Sequence, residues 1–221
     1  LATSQLPLGV DGEQVHAVDP LSFEHAMELF TQRAREQGQT LDDAAGSVES
    51  AAVAEVCRSL DGLPLAIELA AARTRSLSLP EISRRLDDRF KLLRDPTSRG
   101  PERRRTLAAA IAWSYDLLFP DDQRGLWALG CFVGGAPLEG AEQVLAALGV
   151  PGDVAVDVVH RLVDRSLVRS EHTADGATRY WLLDSVRTFA LDRLHESGEA
   201  TAALGAHAAW VAAAAADAAD A

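Results

Sequence analysis

The stretch Asp61 to Arg73, reading Asp-Gly-Leu-Pro-Leu-Ala-Ile-Glu-Leu-Ala-Ala-Ala-Arg, limits the folds open to this chain more than any other. Gly62 supplies a position where positive φ costs little, so a turn is expected there. Pro64 lacks an amide hydrogen and suits the first helical position, where that donor has no intrahelical acceptor in any case. From Leu65 to Ala72 the helix is apolar on nearly every side and needs burial all round, which demands helical neighbours. Three segments offer them. Ser22 caps a helix with Phe23, Ala26, Met27, Phe30 and Ala34 at three- and four-residue spacing. A second, about Val48 to Leu60, places Ala52, Val53, Val56 and Cys57 on one face. Another, opened by Ser78 and Pro80 and ending near Phe90, turns Ile82, Leu86 and Phe90 inward. Four short helices with close connections predict a small antiparallel bundle over residues 1–93.

Residues 94–105, Arg-Asp-Pro-Thr-Ser-Arg-Gly-Pro-Glu-Arg-Arg-Arg, read as a basic linker. Arg103, Arg104 and Arg105 suit either a solvated charge run or a meeting with an anion or with the acidic first domain. A second domain is expected over residues 106–198. Thr106 caps Leu107 to Leu118, Pro120 starts a helix through Phe132, and Gly134-Gly135 turns the chain. Helices follow from Leu138 to Leu148 and from Asp153 to Arg165. Leu167 to His172 and Arg179 to Leu183 then form a β-hairpin across Asp175-Gly176, ahead of a further helix. Helices, hairpin, helix is the order of a winged-helix domain. Residues 199–221 are alanine-rich, with Trp210 as the largest side chain, and read as a helix.

Charge and composition remove several functions. The net charge is −12, which opposes a nucleic-acid-binding surface spread over the chain. Lys91 is the only lysine and sits between Phe90 and Leu92, so no phosphate-cradling Gly-Lys-Ser/Thr loop (Walker A) exists. No apolar run ends in the paired acids of a Walker B strand. His16, His25, His160, His172, His195 and His207 lack metal-ligand spacing, and no nucleophile–base setting appears. The segment is therefore expected to be neither an enzyme nor a metal protein. Cys57 and Cys131 are expected as buried free thiols in a reducing, cytoplasmic setting. No apolar run reaches the length of a membrane span, and the start lacks a signal-peptide pattern. A first residue Leu1 in place of an initiating methionine suggests a piece of a longer chain.

The quoted motifs carry a resemblance. Gly62-Leu63-Pro64-Leu65 before an apolar helix is similar to the lid motif of the NB-ARC (STAND) nucleotide-switch ATPases. Pro20-Leu21-Ser22 ahead of Glu28-Leu29-Phe30 resembles the start of that lid. Residues 106–118, 162–168 and 180–190 resemble the winged-helix domain that follows the lid in bacterial AfsR-like and large LuxR-type regulators. In order and separation, the resemblance runs from Leu1 to Leu194. It implies a mainly α fold: a four-helix lid, a winged helix with one small hairpin, and then the first helix of a TPR-like α-solenoid. It also implies ADP or ATP with Mg in the intact protein, with Gly62, Leu63 and Pro64 touching adenine and no tight binding to this segment alone. Gln5 stands where the family's sensor strand carries an arginine, and an amide does not stabilise phosphate as a guanidinium does. Leu183 replaces the family's phosphate-facing histidine. Asp184 survives from that motif and suits a helix N-cap, and Arg187 is expected within reach of a nucleotide or a lid carboxylate.

Partners implied by the resemblance are a P-loop domain and a TPR region of the same protein, with DNA met through a separate domain and no membrane. Two rival readings stay open. In a DNA-binding winged helix, the helix before the hairpin enters the major groove. Here that helix sets Asp153, Asp157 and Asp164 against Arg161 and Arg165, and the wing carries Glu171, His172 and Asp175. A plain helical protein-interaction module is the other.

Overall fold

The computed structural model describes residues 2, 4, 8–16, 18–39, 47–86, 93, 107–173 and 176–219. Two compact units emerge: His16–Asp116, and Leu117–Ala221 together with Leu1–Val15. Gln5, Thr106, Asp175, the segment 94–105 and the expected helix end at Phe90 lie outside the described residues.

The first unit contains α1 (Phe23–Glu36), α2 (Val48–Arg58), α3 (Pro64–Arg73), α4 (Leu79–Arg85) and α5 (Leu107–Tyr115). Ser22 caps α1 by accepting the amide of His25 at 3.3 Å, and Ser47 caps α2 through Ser50 at 3.0 Å. At α4, Glu81 accepts both the amide and the hydroxyl of Ser78, at 2.9 and 2.7 Å. Those bonds hold the Glu81 carboxyl below its ordinary value, the backbone bond first. Helix α1 packs on α3 and α2, and α2 on α4. Phe30, Ile67 and Ile82 are completely buried between them, each worth about 1.5–3 kcal/mol of apolar burial.

Two expected core positions stand elsewhere. Phe23 is 43% exposed, with the Arg58 guanidinium 5.3 Å from its ring centroid, and Met27 is half-buried. The buried stripe of α1 narrows to Ala26, Phe30 and Ala34 because α3 covers a single face. On α2, Ala54 is buried and Ala52 only half-buried. Helix α5 falls within the first compact unit, whereas the linker-based reading places it at the head of the second.

The second unit runs α6 (Pro120–Gly130), β1 (Ala136–Pro137), α7 (Leu138–Ala147), α8 (Gly152–Asp164), β2 (Arg169–His172), β3 (Thr178–Trp181), α9 (Asp184–Ser197) and α10 (Ala200–Ala219). Its fold is the expected one, mainly helical with a small sheet. The sheet is antiparallel in the order β1-β3-β2, with Ala136 opposite Tyr180 and Ser170 opposite Tyr180 on the other side. Strand β1 is the unexpected member, turning the hairpin into three strands. Two residues, one a proline, carry no alternation to read. The hairpin closes through the Thr173 amide to Ala177 O at 2.8 Å, with Gly176 at φ +84°.

Helix α6 packs on α9 and α8, and α7 on α6, α8 and α10. Leu126, Leu129, Leu145, Leu162 and Leu194 fill the interior. Gly125 allows the close approach of α6 and α8, since a Cβ there would overlap the Val158 side chain. The alanine-rich α10 lies against α7, with the Phe132 and Trp210 rings 5.5 Å apart edge to face.

Candidate functional site

Gly62 is held by geometry within its own unit. It follows Asp61 (φ +56°) at φ +66°, two left-handed residues in succession that end the turn after α2. Its carbonyl accepts the Leu21 amide at 2.9 Å, and a Cβ at residue 62 would overlap the Leu21 carbonyl oxygen and press on Pro20. Two of the quoted motifs, Pro20-Leu21-Ser22 and Gly62-Leu63-Pro64, thus meet. The Leu63 amide donates to Leu60 O at 2.9 Å, and Pro64 opens α3 with its ring exposed while Ala66 and Ile67 behind it are buried. This corner offers an apolar edge at Leu63 and Pro64. It does not fit a phosphate, because Leu63 spends its amide on the turn and the motif carries no cation.

The remaining nucleotide candidates lie in the second unit. Asp184 is not the N-cap of α9. Leu183 takes that position with no side-chain bond, and Asp184 is the first helical residue. An exposed carboxylate there still favours the helix dipole, by about 0.3–1 kcal/mol. Arg187, one turn further, is half-buried, and its Nε has no hydrogen-bond partner among the described residues. Its charge acts on Cys131, whose thiol burial nevertheless pushes up to about 11. Cys57, in the first unit, rises to about 12 through burial alone. Both thiols are free and buried, as expected. Among the described residues no group of three metal-ligating side chains occurs.

The helix preceding the wing gives the clearest electrostatic result. Asp153, Val156, Asp157, His160 and Asp164 of α8 are exposed, while Ala155, Val158, Val159 and Leu162 are buried. Both arginines of this region are engaged within the unit. Arg161 donates from Nε at 2.9 Å and from Nη2 at 2.6 Å to Oδ1 of Asp122, a completely buried carboxylate on α6. Arg165 donates to Leu117 O at 3.3 Å. Helix α8 therefore presents three carboxylates and a histidine outward, with His160 Nε2 3.5 Å from Asp164. On the wing, Glu171 and His172 are exposed, and His172 Nδ1 lies 3.0 Å from the Thr178 hydroxyl. Asp122 is the residue that sequence reasoning passed over. It sits in the first turn of α6 and looks like an ordinary dipole-matching acid, so only the fold reveals that it faces α8.

Residues 136–195 match the winged helix-turn-helix domain, from β1 to the last turns of α9. A Mycobacterium tuberculosis (strain H37Rv) protein named "Putative HTH-type transcriptional regulator" is 43% identical over 203 residues, covering 90% of this chain and 22% of the relative. A Mycobacterium bovis protein of the same description matches equally. A further M. tuberculosis protein, named only as uncharacterized, is 42% identical over 206 residues, covering 92% of this chain and 52% of its own length. The chain thus spans about a fifth of the length of the first relatives and about half of the other. Among the described residues, no single helix is long and apolar enough to cross a membrane. Its second unit carries a winged helix-turn-helix domain.

Proposed function

We propose that the chain is the regulatory lid and winged-helix segment of a cytoplasmic, nucleotide-switch transcriptional regulator. It couples the ADP or ATP state of an NB-ARC-type ATPase to interdomain rearrangement and has no catalytic role of its own. The observation that carries this reading is the outward face of α8. A reading helix needs cations toward phosphate, and this one turns Arg161 and Arg165 to internal partners and Asp153, Asp157 and Asp164 to solvent. DNA is then met by another domain of the longer protein. The regulator description of the 43% identical relatives supports the same role.

The Leu63–Pro64 corner supports an adenine contact, as the resemblance implies. The nucleotide supplies the switching signal, while a P-loop domain, not this chain, holds its phosphates and Mg. Pro64 and Leu63 orient the base and keep water from it. A longer protein that includes the P-loop domain should bind ADP, and Pro64→Ala should weaken that binding several-fold. The 221-residue chain alone should hydrolyse no ATP. Turnover by the chain alone, abolished by Pro64→Ala, overturns the proposal.

A second reading, direct duplex binding by the winged helix, is favoured by the domain match itself. A salt-sensitive gel shift of duplex DNA by the purified chain, weakened when Arg169 or Arg179 is replaced, would establish it in place of the first.

A further inference from the structure

The chain contains no asparagine and three Asp-Gly steps, at Asp11-Gly12, Asp61-Gly62 and Asp175-Gly176. An aspartyl side chain is open to attack by the amide nitrogen of the residue after it, and glycine, with no Cβ, leaves that nitrogen unshielded. The attack requires the nitrogen to swing to the side of the chain that carries the aspartyl group, and to give up its proton. Backbone conformation and hydrogen bonding therefore decide which step reacts in a folded protein. Asp61 is left-handed at φ +56°, which turns the Gly62 nitrogen away from the Asp61 side chain. Rotation there is blocked, because Gly62 O accepts the Leu21 amide and the Leu63 amide donates to Leu60 O, both at 2.9 Å, and both residues of the step are half-buried. At the wing, the Gly176 amide is spent on Thr173 O at 2.9 Å, while Asp175 itself lies outside the described residues. Asp11-Gly12 has neither protection. Both residues are exposed, Asp11 is not left-handed, and the Gly12 amide has no acceptor among the described residues. One backbone bond closes the turn around them, from the Glu13 amide to Val10 O at 3.1 Å. The Glu13 carboxylate holds the Leu8 and Gly9 amides, both ahead of the step, and so leaves its peptide free to rotate.

We propose that Asp11-Gly12 is a site of spontaneous backbone isomerisation to isoaspartate, and that the fold protects Asp61-Gly62 from the same change. The Gly12 nitrogen forms a bond to Asp11 Cγ, the Cγ–OH bond breaks, and the hydroxyl leaves as water with the amide proton. Water then opens the cyclic imide. Cleavage between the nitrogen and the main-chain carbonyl carbon leaves the chain running through Cγ, with the former main-chain carbonyl as a free carboxylate. Cleavage between the nitrogen and Cγ restores aspartate. One water is lost and one regained, nothing is oxidised or reduced, and the product has the mass of the starting chain. Isoaspartate adds one carbon to the main chain between Val10 and Glu13, inside the turn that their single bond closes. At Asp61 the same insertion would displace Leu63 and Pro64, so the left-handed turn keeps that corner chemically intact as well as placed.

The test keeps the full 221-residue chain for several weeks near neutral pH, once folded and once in denaturant. Digestion, chromatographic separation of the equal-mass peptides and fragmentation mass spectrometry then give the isoaspartate at each step. In the folded chain it should accumulate at Asp11 several-fold faster than at Asp61 or Asp175. In denaturant, where the turns are gone, the three rates should converge. Asp11→Glu, whose ring would need one more atom, should remove the signal at that step, leave the other two unchanged and melt at the same temperature. Equal accumulation at Asp11 and Asp61 in the folded chain, or none at Asp11, overturns the proposal. So does a difference that persists in denaturant, because local sequence and not the fold would then set it.

Discussion

Replacing Arg161 by methionine tests the central electrostatic argument. The change keeps an aliphatic side chain on α8 and removes both donors from Asp122 Oδ1. The other carboxylate oxygen, Oδ2, already has no hydrogen-bond partner among the described residues, and the side chain of Asp122 is 0% exposed. A fully desolvated carboxylate is thus left with nothing to offset its burial. Breaking such a pair costs about 3–5 kcal/mol, and because Arg161 is itself 38% exposed, water reaches the site and the lower figure applies. With an m-value of about 2 kcal/mol/M, a loss of about 3 kcal/mol moves the urea midpoint down by about 1.5 M. Trp127, Trp181 and Trp210 lie in this unit, so their fluorescence follows its unfolding. The converse change, Asp122→Asn, should cost only about 1 kcal/mol, because the partly exposed guanidinium turns to water while the amide still accepts a bond. The double variant Asp122→Leu with Arg161→Met should return to within about 1 kcal/mol of wild type. If Asp122→Asn costs more than Arg161→Met, or if the two single losses simply add, the burial asymmetry is not what governs this pair.

Gly62→Ala should destabilise the first unit by about 2 kcal/mol or more in chemical denaturation, from the left-handed backbone and the overlap with the Leu21 carbonyl together. Pro64→Ala, at an exposed first helical position, should cost well under about 1 kcal/mol, which separates the turn's structural residue from its surface one. Cys57 and Cys131, with thiols raised to about 12 and about 11, should resist thiol reagents at neutral pH in the folded chain and react fully in denaturant. Ser22→Ala should cost about 1 kcal/mol through the lost cap on the His25 amide, read as a shift in the first unit's unfolding midpoint.

Sequence alone determined where most helices begin. Ser22, Pro64, Ser78 and Pro120 act on the backbone within one turn of themselves, and such local chemistry needs no tertiary partner. Apolar spacing likewise identified Phe30, Val56 and Ile82 as interior, because an amphipathic helix has one face to bury, and Ile67 followed from a helix apolar on nearly every side. The glycine at 62 was readable as a turn residue, and the acidic bias of the helix before the wing was readable from its composition.

Tertiary structure decided the rest, because it depends on what arrives from far along the chain. Ala136 and Pro137 become a strand only when Tyr180 and Arg179 lie opposite them. Phe23 stays exposed beside Arg58 while Ala26, Phe30 and Ala34 take the buried face of α1, and Leu183 takes the cap expected of Asp184 because the backbone turns one residue earlier. Whether Arg161 points to solvent or inward rests on Asp122, 39 residues away. That distance is closed by the packing of α6 on α8 across Gly125, where burial makes a pair worth forming that neither residue's neighbours could announce.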